Sequence, residues 1–108
     1  LGIYSMKHPL IAALNAALKE TYGGSCIPYG TSEDEETGTG FRVVGIEATF
    51  SAVCLDDTPK GKLDVQVESF PPGEYLFNDV LDLKQFMSLI EAYRAPISAW
   101  PVRGNSNA

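Results

Sequence analysis

Two segments near the middle of the chain alternate apolar and polar residues. Ile46, Ala48, Phe50, Ala52 and Cys54 interleave with Glu47, Thr49, Ser51 and Val53, and Leu63, Val65 and Val67 interleave with Asp64, Gln66 and Glu68. A period of two predicts antiparallel strands with one face buried and one solvated. Residues directly opposite each other in such a pair share a face. For the apolar sets to meet, Cys54 must face Leu63, Ala52 face Val65 and Phe50 face Val67. Asp56 then pairs with Gly61 and leaves Asp57, Thr58, Pro59 and Lys60 as the loop, a length common in hairpins. On the solvated face, Glu47 and Thr49 fall beside Phe70 and Glu68, and Ser51 and Val53 beside Gln66 and Asp64.

A helical period flanks this hairpin on both sides. Leu10, Ile11, Leu14, Ala17, Leu18 and Tyr22 form one stripe and predict a helix from about Pro9 to Tyr22. Pro9 suits its first turn, and Gly23 and Gly24 stop it. Leu83, Phe86, Met87, Ile90 and Tyr93 form a second stripe, from about Leu83 to Arg94. Asp82 is its expected N-cap with Gln85 three residues on, and Leu81 and Phe86 form a hydrophobic staple. Pro96 ends it.

The intervening stretches are less regular. Cys26–Tyr29 reads as a short strand that Pro28 confines to an edge. Thr31–Gly40 reads as a solvated loop, the β pattern resumes at Phe41, and Gly45 reads as a bulge where the alternation slips. Pro71, Pro72 and Gly73 end the second hairpin strand, and Glu74–Asn78 reads as one more short strand. The expected fold is a single α+β domain over residues 1–108. A three- or four-stranded antiparallel sheet carries the N- and C-terminal helices on one face, with an irregular tail at 96–108. The expected core holds Leu10, Leu14, Leu18, Ile46, Phe50, Val65, Val67, Phe86 and Ile90.

Composition is ordinary for a globular chain, at 44% hydrophobic and 20% charged residues. Fourteen acids against 8 bases give a net charge of -6. That disfavours nucleic acid and anionic membranes and permits a basic partner. Mild acidity also serves solubility alone. Lys7 and the apolar run after it superficially resemble a secretion signal, but the run stops at Asn15 and is too short. Met6 reads as the natural start, with Leu1–Ser5 a cloning remnant. No stretch reaches the roughly 20 apolar residues that span a bilayer. Cys26 and Cys54 read as free thiols of a cytoplasmic protein.

Candidate chemistry is sparse. His8 stands at the start of the first helix, a capping or solvent position, and a thiol–imidazole pair would need it beside Cys26 or Cys54. One histidine and two separated cysteines make a poor zinc set. Gly38-Thr39-Gly40 lacks a third glycine and a following helix, so it reads as a turn rather than a dinucleotide loop. Ser25 and Ser51 have no motif partners. Glu33, Asp34, Glu35 and Glu36 lack the ligand spacing of a calcium loop and read as a solvated loop or a mimic of a phosphate track. Trp100 reads as cover for a core edge or as a binding anchor. No catalytic residue, metal or cofactor is assigned.

The expectation is therefore a non-catalytic protein that binds a basic protein partner, of immunity, inhibitor or antagonist type. It would use Glu47, Thr49, Ser51, Asp64, Gln66 and Glu68, with Glu33–Glu36 and Trp100 as secondary surfaces. The alternative is a homodimeric accessory or assembly protein, such as a secretion chaperone or phage-type component. A small carboxylate or thiol enzyme ranks last.

Overall fold

The computed structural model describes residues 8–30, 37–71 and 73–103. Leu1–Ser5, Met6, the acidic run Glu33–Glu36 and the last five residues of the tail lie outside them. Helix α1 spans Pro9–Tyr22. His8 caps it through its side chain: Nδ1 accepts the Leu10 N–H at 3.0 Å. Gly23 closes it at φ 56°, with its N–H returning to the Lys19 carbonyl. Helix α2 spans Leu83–Ala92 behind a capping box, in which Asp82 accepts from the Gln85 N–H at 2.7 Å and Gln85 accepts from the Asp82 N–H at 2.9 Å.

Between the helices run five antiparallel strands: β1 (Cys26–Pro28), β2 (Gly38–Val43), β3 (Ala48–Val53), β4 (Leu63–Ser69) and β5 (Tyr75–Leu81). They pair in chain order as a meander. The architecture is the α+β sheet that the alternation implies, with five strands rather than three or four. The central register is the expected one: Phe50 faces Val67, Ala52 faces Val65, Thr49 faces Glu68 and Ser51 faces Gln66.

Both helices cover the same sheet face. Ile11, Leu14 and Leu18 from α1 and Phe86 and Ile90 from α2 join Phe41, Val43, Phe50, Val65 and Val67 in one buried cluster. Phe50 sits at its centre, stacked on Phe41 at 5.4 Å and edge-on to Tyr93 at 5.7 Å. Leu10 is only half-buried and Ile11 takes the inward position.

Several local expectations change. Gly38-Thr39-Gly40 is strand, not turn. Glycine lowers strand propensity, but here it permits close approach. A Cβ on Gly40 would lie 2.5 Å from the Tyr29 carbonyl oxygen, and one on Gly38 2.8 Å from Val53 Cγ1. Gly45 is no bulge: at φ 93° it shapes the β2–β3 turn, and Ile46 from that turn is buried. The bulge lies instead between β4 and β5. There Val67 faces Phe77 and Glu68 faces Tyr75, so Leu76 is the extra residue. It lets Leu76 and Phe77, adjacent in sequence, both be buried. The β3–β4 loop is longer than four residues. Its strands stop at Val53 and Leu63, and two turns join them, closed by Thr58 N–H to the Leu55 carbonyl and Lys62 N–H to the Pro59 carbonyl.

The tail is pinned to the body. Trp100 Nε1 donates to the Ala95 carbonyl at 2.9 Å, and its ring meets Tyr93 edge-on at 5.5 Å. Arg103 then bridges to β5: its N–H donates to Leu76 and its carbonyl accepts from Asn78. Its guanidinium pairs with Asp79. The Val80 N–H, and after it Arg103, hold the Asp79 carboxyl below the usual range.

Candidate functional site

The sheet face away from the helices gathers the six residues predicted to bind a partner. Thr49 and Ser51 of β3 lie beside Glu68 and Gln66 of β4, and Asp64 follows beside Val53. Glu47 sits at the exposed end of the β2–β3 turn, where its carbonyl accepts the Phe70 N–H. Neither ion pair formed among the described residues uses Glu47, Asp64 or Glu68.

This face is not the open polar surface that the alternation suggests. Thr49 is 6% exposed. The cause is a cover that starts at β2. Because Gly40 has no side chain, the Tyr29 carbonyl can lean over it, while Tyr29 N–H bonds the Gly40 carbonyl at 3.1 Å. That places the Tyr29 ring edge-on to Phe70 at 5.5 Å. The Arg42 guanidinium lies over the same Phe70 ring at 4.3 Å, a cation–π distance. Arg42 Nε is buried without a hydrogen-bond partner.

Two hollows result. A cleft of about 370 Å³ is bounded by Arg42, Gly45, Ile46, Glu47, Phe70 and Pro71. A smaller pocket of about 170 Å³ is lined by Tyr29, Thr49, Ser51, Gln66, Glu68 and Tyr75, with Gly30 and Phe50. Thr49 Oγ1 donates to the Glu68 carbonyl at 3.3 Å, which ties the pocket floor across β3 and β4. Tyr75, on β5 opposite Glu68, is 68% exposed.

Sequence reasoning missed Tyr29, Arg42 and Tyr75. The two glycines of β2 were the available signal for the first, since glycine inside a strand marks backbone approach. Tyr75 was hidden by the bulge, which breaks the parity that would have placed it. Trp100 is half-buried against Tyr93 and serves as cover for the core edge.

Cys26 faces Val43, which lies at the Ala48 end of β3, whereas Cys54 follows its other end. Six residues of strand separate those ends, about 20 Å, far beyond disulfide reach, and both cysteines are free. Burial pushes both thiols up, the opposite of what activates a nucleophile. His8 and Cys54 do line one groove, with Leu10, Leu55, Pro59 and Lys62, and no carboxylate among the described residues lines it. Cys54 Sγ donates to the Lys62 carbonyl and His8 Nδ1 is taken by the helix cap. Among the described residues no group of three or more His, Cys, Asp or Glu is placed to hold a metal ion. Also among them, no helix is long and apolar enough to cross a membrane.

Fold and surface together define an α+β domain with one sheet face buried under helices and the other part-covered by aromatic rings. The chain matches no family model, and no curated protein or solved structure is significantly similar to it.

Proposed function

We propose that this is a non-catalytic protein of the cytoplasm that binds a basic protein partner through the outer sheet face. One observation carries the reading. The face free of helices presents Glu47, Asp64 and Glu68 outside any described ion pair, next to Tyr29, Phe70 and the exposed Tyr75. Aromatic side chains are enriched at interface centres, where tyrosine supplies area, and complementary charge around them supplies orientation and association rate. The raised thiols of half-buried Cys26 and buried Cys54, and the His8 side chain engaged at the helix cap, favour a binding role over a thiol enzyme. A homodimeric accessory role would use the aromatic tail and an uncovered strand edge. The tail instead lies on the body and bridges β5, and β1 is a three-residue edge ending in Pro28.

The test begins with affinity capture from the native host's lysate at low and high salt. Association rates of the captured partner are then compared for the parent and a Glu47→Lys, Glu68→Lys double variant. Slower association of the variant at low salt, converging with the parent at high salt, is the expected result, because exposed charges act on association and are screened. Equal rates at low salt would remove this face from consideration.

A further inference from the structure

The geometry points to the pocket between Tyr29 and Tyr75 as the seat for a single cationic side chain, lysine or arginine, of a protein partner. This rests on the outer-face reading and names what that face recognises. Three features choose the occupant. The volume, about 170 Å³, falls below the ~300–1,000 Å³ of small-molecule sites, so it suits one side chain rather than a cofactor. Among the described residues, Glu68 is the only ionised group on its lining, while Arg42 lines the neighbouring cleft. Those described residues make the pocket negative. Two tyrosines flank the carboxylate, and aromatic faces attract ammonium and guanidinium groups through their quadrupole.

The remaining lining fits the same guest. Thr49, Ser51 and Gln66 bring hydroxyl and amide oxygens to the floor, acceptors for the N–H groups of a cation. Their position is fixed by the β3–β4 ladder, Thr49 opposite Glu68 and Ser51 opposite Gln66. Tyr75 is the wall that stays exposed before binding. It can therefore be altered without touching the helix-covered core.

The experiment is a titration of the ¹⁵N-labelled protein with hexa-arginine and hexa-lysine peptides, followed by amide chemical shifts. Either peptide should shift Thr49, Ser51, Gln66, Glu68 and Tyr75 first. Tyr75→Leu and Glu68→Gln should each weaken binding about fivefold, and Tyr75→Phe, which keeps the ring, should bind like the parent. Unchanged amide shifts outside the pocket verify that each variant is folded. If Tyr75→Leu and Glu68→Gln bind as the parent does while amides near Glu47 and Asp64 still move, the pocket is overturned and the outer-face reading stands. If no outer-face amide moves with either peptide, both readings fail.

Discussion

The two faces of one sheet are built on different principles. On the helix side, Phe41, Phe50, Phe86 and Tyr93 meet ring to ring and exclude water. On the outer side, Tyr29 and Phe70 also meet ring to ring, but beneath the guanidinium of Arg42, the strand partner of Thr49. The first cluster is deep and contacts both helices. The second is a thin cover whose polar floor stays reachable through a pocket. Adjacent residues of β3 thus serve opposite ends: Phe50 holds the fold, and Ser51 lines a surface hollow.

The sharpest way to break that comparison is to truncate the two neighbours. Phe50→Ala should cost about 3–5 kcal/mol, the range for deleting a buried ring whose cavity cannot close. Ser51→Ala should change stability by less than about 0.5 kcal/mol, as surface substitutions do. Equilibrium urea denaturation measures both. A Phe50 loss below a quarter of that range would mean the inward and outward faces are reversed.

The second change tests what supports the outer cover. Gly40→Ala places a Cβ 2.5 Å from the Tyr29 carbonyl oxygen, so backbone must move, at about 1–3 kcal/mol. Gly38→Ala meets Val53 Cγ1 at 2.8 Å, which a rotamer change can relieve, and the Ala52 carbonyl oxygen only at 3.3 Å. Gly40→Ala should therefore destabilise more, and it should also disturb the Tyr29–Phe70 pair, visible as altered Tyr29 ring shifts by NMR. Equal costs at both glycines would show that the close approach of Tyr29 is not held by the missing side chain.

These two regions also differ in how far the sequence disclosed them. The helix side was legible because burial imposes period: 3.6 in α1 and α2, two in β3 and β4. Hairpin register followed from matching apolar sets. The outer side was legible only as polar letters. What covers it comes from contacts between residues distant in sequence, Tyr29 with Phe70 and Arg42 with Phe70, which no local period encodes. The fifth strand was hidden because Gly38-Thr39-Gly40 read as a turn and Gly45 as a bulge, which merged β2 with β3. The bulge at Leu76 disguised Tyr75 in the same way.

A smaller effect sits at the edge of the helix side. Trp100→Phe keeps a ring against Tyr93 but loses the Nε1 hydrogen bond to Ala95. The cost should be about 1 kcal/mol, the net worth of one such bond. Faster amide exchange at Asn78 and Arg103, whose backbone groups bridge the tail to β5, should accompany it. Unchanged exchange would mean that the bridge holds without the indole anchor.

The weakest effect concerns the polar contact where the helices meet. Tyr22 of α1 donates to Glu91 Oε2 of α2 at 2.5 Å, and Arg94 Nε donates to Oε1 at 2.7 Å. Arg94 first, and Tyr22 second, hold the Glu91 carboxyl below its usual range. The sign follows directly. A carboxyl depressed in the folded state stabilises it above the unfolded pKa, about 4.3, and loses that contribution as pH falls through the folded value. Stability measured from pH 6 downward should therefore decline less in Glu91→Gln than in the parent. Tyr22→Phe should reproduce only part of the change, because Arg94 is the larger cause. The contact is largely exposed and screened by solvent, so the difference is small. It should shrink further in salt. If the acid profiles of parent and Glu91→Gln superimpose at low salt, the helix edge is held by its apolar contacts alone. The helix side of the sheet would then owe its stability to the ring cluster, without help from charge.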